Sequence, residues 1–303
     1  MSPSTQDTVT VRVPASTSNC GAGFDTLGLA FNIHNHVTLT RTAAAGAAPA
    51  RPEDGRAREM VDEAAAVFFR AVNRSPFGFS YRITGDVPPA RGLGSSVTVR
   101  AGVIAGLDAL AGTGLDRNRM VGLVTALEGH PDNATAGVLG GFCVPRTNPA
   151  DGAYIDTIRF EVPSDLAFVA VSPVVEILTK ESRGVLPAKI PYFDAVRSIN
   201  SAAYLVAVFA TKDYARLQHA VADFMHEPYR LPHIPGAQAA LAAGVAAGAL
   251  TGWLSGSGSS VLCVVRHEHA ETVLGAMKAS FQHARLACEG RIMLADNTGL
   301  TLA

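Results

Sequence analysis

Residues 88–96 read Pro88-Pro89-Ala90-Arg91-Gly92-Leu93-Gly94-Ser95-Ser96, and a long run of small and apolar residues follows them to Leu110. The run predicts a helix that begins at the serines and ends before Gly112 and Gly114. A glycine-rich turn that leads into a helix exposes backbone N–H groups at the positive end of the helix dipole, where an anion binds well. The stretch therefore predicts a phosphate-binding loop. The alternative, for these residues alone, is an ordinary glycine turn with serine caps.

Two more segments place polar side chains and glycines close together. Glu128-Gly129-His130-Pro131-Asp132-Asn133 combines carboxylates, an imidazole and an amide directly after a helix that Asp116 is expected to cap. Leu254-Ser255-Gly256-Ser257-Gly258-Ser259-Ser260 is a glycine-serine segment followed by an apolar strand. Taken alone, the first could be a capped helix end and the second a flexible turn. The chain contains no Gly-Lys-Ser or Gly-Lys-Thr, which excludes a Walker-type loop.

Periodic apolar residues predict an α+β fold. Strands are expected at 9–13, ended by Pro14, and at 36–41, 79–83, 166–172 and 261–265, with helices at 58–73, 95–110, 116–127 and across 192–225. Residues 16–28 should form a glycine-bearing loop, and residues 43–58, which lack periodicity, a surface insertion. Strands and helices interleave without a regular βαβ rhythm, which favours two α+β parts over a doubly wound sheet. The boundary between them is expected within 146–170.

The composition excludes several classes of protein. The 303 residues carry 25 Lys and Arg against 26 Asp and Glu, with a formal net charge of −1 and no basic cluster. This balance argues against nucleic-acid and membrane partners. The cysteines have neither C-x-x-C nor zinc-like spacing, so free thiols are expected. The first residues are polar and no apolar window is long enough to span a bilayer, which predicts a cytoplasmic protein.

Considered together, these motifs resemble the GHMP kinase superfamily of small-molecule, ATP-dependent kinases. Residues 88–96 are similar to its P-x-x-x-G-L-G-S-S phosphate loop, 128–133 to E-G-H-x-D-N and 254–261 to L-S-G-[AS]-G-P-[ST]. Residues 14–30, PASTSNCGAGFDTLGLA, resemble the N-terminal signature of the homoserine kinase family. LTKESR at 178–183 and HEPYR at 226–230 resemble two further segments of that family, S-T-x-x-A-R and H-x-P-Y-R. Each piece is short, and the specificity lies in their combination along nearly the whole chain.

The resemblance implies a fold and a reaction. It implies an ATP-binding domain like ribosomal protein S5 domain 2 over residues 1–160 and a ferredoxin-like domain over residues 161–303. It implies transfer of a phosphoryl group from ATP, with Mg²⁺, to the side-chain hydroxyl of L-homoserine, giving O-phospho-L-homoserine on the route to threonine. Family members often form homodimers, so a homodimer is expected as well.

The resemblance also assigns residues to roles. The nucleotide phosphates are expected at Pro88, Arg91, Gly92, Leu93, Gly94, Ser95 and Ser96. The amino-acid pocket is expected to comprise Asn19, Asp25, His130, Arg183 and Arg230. There a carboxylate suits the ammonium group of the substrate and a guanidinium suits its carboxylate. Asn133 matches a position beside the reacting hydroxyl, and His130, Asp132 and Arg183 complete the expected catalytic set.

The implied catalysis depends on positioning. Homoserine kinases of this pattern are thought to lack an aspartate base for the hydroxyl, and a loose phosphoryl-transfer transition state needs mainly alignment and charge neutralisation. His130 and Asp132 are the alternative proton acceptors. Several relatives carry a magnesium-binding glutamate eight residues before the histidine of E-G-H-x-D-N, where this chain has Gly122. Glu128, together with Ser96, is the substitute expected to hold Mg²⁺.

Other departures from the family pattern leave alternatives open. Ser18 and Cys20 stand where Ala and Leu are usual, and Val97-Thr98-Val99-Arg100 replaces a run of alanines. Arg100, so close to the phosphate loop, has no explanation in the sequence. The second hypothesis is a kinase of the same fold that acts on another small alcohol. The third, motivated by Gly122, is a non-catalytic ATP-binding relative.

Overall fold

Two sheets and the helices packed on them make up the part of the chain that the computed structural model describes, which is residues 7–174 and 179–303 without the side chains of residues 179–181. The strands are β1 Thr8–Asn19, β2 Gly23–Thr42, β3 Ala47–Pro49, β4 Gly78–Gly85, β5 Phe142–Thr147, β6 Tyr154–Phe160, β7 Leu166–Pro173, β8 Thr251–Leu254, β9 Val261–Arg266, β10 Cys288–Leu294 and β11 Thr301–Leu302. The α-helices are α1 Arg58–Ala71, α2 Ser95–Ala111, α3 Arg117–Glu128, α4 Asp132–Leu139, α5 Thr179–Gly184, α6 Tyr192–Thr211, α7 Glu227–Arg230, α8 Ala237–Ala246 and α9 Ala270–His283.

The first sheet has the strand order β11-β1-β2-β4-β3, and β5 pairs with both β2 and β6. Its inner face packs against α2, which carries the glycine-serine turn at its N-terminus. Gly102 and Gly106 permit this close packing, because a Cβ there would lie 2.5 Å from Val37 and 2.7 Å from Leu39. The sheet therefore fixes the position and direction of α2, and with them the position of the turn.

The second sheet is antiparallel, with the order β10-β7-β9-β8. Helices α8 and α9 pack on one of its faces in a core of their own. The other face shares a core with the first sheet, in which the Phe142 ring stacks on Phe209 of α6 at 3.9 Å. From β7 to β10 the chain runs strand, helices, strand, strand, helix and strand. This order is the ferredoxin-like arrangement. The expected α+β fold with a ferredoxin-like second part is thus confirmed.

Several helix and strand predictions are confirmed, and others are wrong. The expected loop at 16–28 is almost entirely strand, because β1 continues past Pro14 through a register shift and pairs with β2 up to Asn19. The expected surface insertion at 43–58 contains β3 and a 3₁₀-helix at Pro52–Ala57. The helical stretch expected across 192–225 ends at Thr211 and continues as a shorter 3₁₀-helix.

The second sheet begins at β7, soon after β6 ends at Phe160, but the chain later returns to the first sheet. Strand β11 pairs with β1 at Val11 and Arg12. A domain boundary at 160/161 stays a prediction. Within the described ranges, no helix has the length and apolar character needed to cross a bilayer. All four cysteines, Cys20, Cys143, Cys263 and Cys288, are free thiols.

Candidate active site

The glycine-serine turn wraps around the N-terminus of α2, as the sequence predicts. Gly94 precedes the helix in the left-handed region, with φ of 70°. Gly92, with φ of 71°, lies so close to the segment after β8 that a Cβ would be 2.1 Å from the Ser255 carbonyl oxygen. Only glycine fits both demands at position 92. The free N–H groups of the first helical turn therefore face a cavity rather than side chains.

Hydroxyl groups from elsewhere in the chain hold the backbone of this turn. Ser255 donates to the carbonyl of Gly92 at 2.7 Å, and Ser260 donates to the carbonyl of Arg91 at 2.5 Å. The backbone N–H of Ser16, in β1, donates to the carbonyl of Leu93 at 3.1 Å. The glycine-serine segment 254–260 and strand β1 at Ser16 thus both hold the turn.

Asn133 lies at the start of α4 and is held by two serines of β1. Its Oδ1 accepts a hydrogen bond from Ser16 at 2.8 Å, and its Nδ2 donates to Ser18 at 3.0 Å. These two bonds fix the amide's orientation, and they place Asn133 beside Gly94 on the cavity wall. Ser18, which departs from the family pattern, is therefore a direct partner of the residue expected beside the reacting hydroxyl.

His130 and Asp132 form a short hydrogen bond, with 2.5 Å between Nδ1 and Oδ1. Burial opposes a charge on the imidazole, but the hydrogen bond and the negative charges of Asp132 and Asp25 outweigh it and raise the pKa of His130 above its ordinary 6.5. The second carboxylate oxygen of Asp132 is buried and has no hydrogen-bond partner within the described residues. Ligand atoms of Asp25, His130 and Asp132 lie within 4.8 Å of one another, an arrangement suited to a cationic group.

Asp25 and two arginines line the cavity next to His130 and Asp132. Arg183 places both arms on Asp25, with N–O distances of 3.0 and 2.8 Å. Arg230 is 4% exposed, and its guanidinium donates to the backbone carbonyls of Ser182 and Gly256. Burial and the charge of Arg183 lower the pKa of Arg230 to about 10. Of the family-like segment 178–183, Leu178 lies outside the described residues.

Aromatic packing fixes the two arginines relative to each other. Both guanidinium groups lie over the Phe24 ring, Arg183 at 5.6 Å and Arg230 at 5.1 Å from its centroid. His226, which precedes α7, stacks on Phe24 at 5.2 Å, and its Nε2 lies 2.8 Å from the Gly21 carbonyl. Burial lowers the pKa of His226, so the imidazole is neutral at pH 7. Phe24 and His226 were not predicted as site residues, although both belong to the matched motifs.

Ser96 and Glu128 form the third part of the site. Ser96, in the first turn of α2, donates to Oε2 of Glu128 at 3.1 Å. Arg100, one turn further along α2, donates to Oε1 of the same carboxylate at 2.7 Å and to Glu63 of α1 at 2.7 Å. This network explains Arg100. Gly122 is not at this position, because a Cβ on it would lie 3.9 Å from the Tyr154 ring.

These groups share one cavity of about 280 Å³. The residues that line it are Ser18, Asn19, Asp25, Met60, Pro89, Ala90, Arg91, Gly92, Gly94, Ser95, Ser96, Glu128, His130, Asp132, Asn133, Arg183, Arg230, Gly256 and Ser257. Two predicted nucleotide-binding residues are not among them: Pro88, and Leu93, whose side chain is buried in the core between the two sheets. Met60 also lines the cavity, although it lies outside the motifs quoted from the sequence, in the helix predicted over residues 58–73.

Comparison with known proteins agrees with this geometry. The family model described as GHMP kinases N terminal domain matches residues 59–141, and the one described as GHMP kinases C terminal matches residues 204–283. The homoserine kinase of Moorella thermoacetica is 38% identical over 95% of this chain and 98% of its own length. The homoserine kinase of Carboxydothermus hydrogenoformans is 34% identical over 86% of each chain.

A solved structure agrees over the whole length. The crystal structure of homoserine kinase from Cytophaga hutchinsonii superimposes with a TM-score of 0.89, covering 99% of this chain and 98% of that one at 26% identity. The likeness therefore extends over both sheets. On these grounds the chain belongs to the homoserine kinase family of the GHMP kinases.

Proposed function

We propose that this chain transfers the terminal phosphoryl group of ATP to the side-chain hydroxyl of L-homoserine, giving ADP and O-phospho-L-homoserine. The observation that carries the proposal is the single cavity, which joins a phosphate-binding helix N-terminus to a cluster of acidic and basic groups suited to a zwitterion. The first feature suits a nucleotide, and the second suits an amino acid.

The nucleotide side depends on the backbone of residues 92–96. The N–H groups at the N-terminus of α2 and the hydroxyls of Ser95 and Ser96 offer hydrogen bonds to phosphate oxygens, and the helix dipole offsets part of their charge. Arg91, which lines the same wall, adds a cation. Because the turn is held by Ser255 and Ser260, its amides are already in place before a nucleotide binds, which lowers the entropic cost of binding.

The amino-acid side depends on complementary charges. We assign the substrate's ammonium group to Asp25 and to the unpartnered oxygen of Asp132, and its carboxylate to Arg183 and Arg230. Asn19 supports this side, because its Oδ1 accepts the backbone N–H of Asp25 at 3.0 Å and its Nδ2 donates to Gly256 at 3.1 Å. The imidazolium form of His130 donates to Oδ1 of Asp132 and orients that carboxylate for the ammonium group.

Catalysis in this proposal depends on alignment. Asn133 lies between the two sides of the cavity and can orient the hydroxyl toward the phosphate loop, as a near-attack geometry requires. Asp132 is committed to His130 through Oδ1, which suits a positioning role better than that of a strong base. A loose phosphoryl-transfer transition state makes small demands on a base, so orientation and charge neutralisation account for the chemistry.

Ser96 and Glu128 fit a magnesium ion. They place a hydroxyl and a carboxylate oxygen 3.1 Å apart on the cavity wall beside the phosphate turn. Mg²⁺ in kinases is held by one or two carboxylates together with substrate phosphates, so this pair is a sufficient protein contribution. The ion would neutralise charge on the phosphates. Gly122 gives no reason to doubt the site, since it lies elsewhere on α3.

An ADP-release assay with L-homoserine, D-homoserine, L-serine, L-threonine, mevalonate and galactose tests the proposal. We expect turnover with L-homoserine at a kcat/KM at least about a hundredfold above the others, because only this substrate matches both the charges and the hydroxyl position. Turnover with another alcohol and none with L-homoserine would replace the substrate assignment. ATP binding by titration calorimetry without turnover on any alcohol would favour the non-catalytic alternative. The expected homodimer stays a prediction, which light scattering in solution can check.

A further inference from the structure

Arg100 and Ser96 lie four residues apart on α2 and reach the same carboxylate. Residues at this spacing share one face of a helix, one turn apart. Ser96 contacts Oε2 of Glu128, whereas Arg100 contacts Oε1 at 2.7 Å. The two oxygens of Glu128 therefore have different partners, and only Oε2 is directed toward the hydroxyl beside the phosphate turn.

The Arg100 contact is held firmly. Its side chain is 15% exposed and that of Glu128 is 9% exposed, so the pair is largely shielded from solvent. The second arm of the guanidinium binds Glu63 at 2.7 Å, which ties Arg100 to α1 as well as to α3. Separating the largely shielded Arg100 from Glu128 would leave the carboxylate without its charge partner. Oε1 is therefore a poor metal ligand, because a cation bound there would lie beside the guanidinium.

Magnesium and calcium use carboxylates differently. Mg²⁺ needs near-ideal octahedral geometry at 2.0–2.1 Å and accepts a single oxygen from each carboxylate, whereas Ca²⁺ takes 6–8 oxygens at 2.3–2.6 Å and often binds a carboxylate through both. A glutamate with one oxygen paired to an arginine suits the first ion and disfavours two-oxygen binding of the second.

We infer that Arg100 is a specificity-determining residue for the metal: by occupying Oε1 of Glu128 it leaves one oxygen for the ion and so favours Mg²⁺ over Ca²⁺. The inference rests on the proposed function, in that it takes Ser96 and Glu128 as the metal ligands. Arg100 acts through Glu128 and is a positioning residue. If Arg100 instead acted only through its positive charge, it would weaken the binding of every divalent cation by the same factor.

Competition against bound Mn²⁺ separates these two roles. Mn²⁺ favours the same oxygen ligands as Mg²⁺ and reports its own binding by electron paramagnetic resonance. The enzyme is saturated with L-homoserine and given a non-hydrolysable ATP analogue at a concentration below that of the enzyme. Bound Mn²⁺ is then displaced with Mg²⁺ or Ca²⁺, and the ratio of their inhibition constants measures the selectivity.

In Arg100→Met, which keeps the length of the apolar stem and removes both arms, we expect the preference for Mg²⁺ over Ca²⁺ to fall by about tenfold. Glu63→Ala is the matched control: it removes the outer contact of Arg100 and leaves the contact to Glu128, so the wild-type ratio should persist. Arg100→Gln repeats the test if thermal unfolding shows that the methionine variant is unstable.

Two outcomes would overturn the inference. If Arg100→Met gains equal affinity for both ions, Arg100 acts only through its positive charge. If both affinities and their ratio stay unchanged, Arg100 has no influence on the metal site. Failure of the metal assignment itself has a separate signature. In that case Glu128→Gln would leave Mn²⁺ binding to the ternary complex unaltered, whereas the assignment predicts a loss of at least about tenfold.

Discussion

Asp25 and Arg183 lie 158 residues apart in the chain and form a two-armed ion pair in the cavity wall, with N–O distances of 3.0 and 2.8 Å. Their side chains are 34% and 40% exposed, so the pair contributes only about 0–1 kcal/mol to stability. A zwitterionic amino acid offers each partner a replacement of the correct sign. The pair is therefore well placed to exchange one internal contact for two contacts with substrate.

The two arginines should contribute unequally to homoserine binding. Arg230 is buried and Arg183 is partly exposed, and a charge pair that is shielded from water is stronger. Arg230→Ala should raise the KM for L-homoserine by at least about 30-fold, roughly 2 kcal/mol, and Arg183→Ala by about fivefold. The KM for ATP should change little in either variant. Arg197→Ala, which removes an arginine on α6 that is 62% exposed, is the control and should match wild type.

The charge of His130 should appear in the pH profile. The raised pKa keeps the imidazole protonated above pH 6.5, where an ordinary histidine is mostly neutral. The kcat/KM for L-homoserine should therefore fall as the pH rises through this higher pKa. Asp132→Asn removes the main group that raises the pKa, so the fall should occur at lower pH. Steady-state rates between pH 5.5 and 9 measure the shift, and coincident profiles would contradict the assigned charge.

The close approach at Gly92 should make that position intolerant of any side chain. The Cβ added by Gly92→Ala would lie 2.1 Å from the Ser255 carbonyl oxygen, and alanine would also be strained at this positive φ. Gly112→Ala is the matched control, because Gly112 has φ of 61° at the end of α2 and open space around it. The control should lose about 1–2 kcal/mol of unfolding free energy in urea, the cost of the left-handed conformation alone.

Gly92→Ala should lose more stability than the control and should also lose ATP affinity by at least about tenfold in calorimetry, since the turn must move. The affinity of Gly112→Ala for ATP should be close to that of wild type. Equal losses of stability in the two variants, with ATP binding retained in both, would show that the contact with Ser255 has no consequence.

Glu227, in α7, should make stability depend on pH. Although part of the residue is exposed, burial of its carboxyl group raises the pKa to about 8 in the folded protein, against about 4.5 when unfolded. Both states are protonated below pH 4.5, so the stabilisation is complete there. It is lost as the pH rises toward 8, because the unfolded chain releases its proton first, with a slope of up to about 1.4 kcal/mol per pH unit.

Glu227→Gln should flatten this dependence. The amide oxygen can still accept the backbone N–H of Leu254, which Oε1 of Glu227 accepts at 2.6 Å, but it does not titrate. Urea unfolding at pH 5, 6, 7 and 8 provides the measurement. A slope that persists in the variant would assign the dependence to other groups.

The sequence predicts the glycine-serine turn before α2 better than the strands that hold it. The turn was predictable because glycines followed by a helix start leave a strong local signal, and Asp116 caps α3 as expected. Strand β1 was missed beyond Pro14 because Ser16, Thr17 and Ser18 are polar and yet buried. With both faces buried, the alternation that marks a half-exposed strand disappears.

Contacts between distant segments explain the remaining omissions. The sequence shows that Arg100 is unusual, but its partners Glu63 and Glu128 meet it only after three helices have packed. Met60 follows the apolar period of α1 and still lines the cavity, because the stripe extends past the edge of the core. No local pattern distinguishes such a position from its buried neighbours.

The serine hydroxyls that bind the carbonyls of Gly92 and Arg91 also bear on how such enzymes can be recombined. Because both donors follow β8, the glycine-serine turn before α2 is held by hydroxyls from the second half of the chain. A chimera could keep the first half of this chain and take the second half from a paralogue. Its turn would then lack the hydrogen bonds to the Gly92 and Arg91 carbonyls, unless the paralogue has hydroxyl side chains at the positions of Ser255 and Ser260. Exchange of the second half should therefore preserve the turn only where the new sequence supplies these two hydroxyl groups.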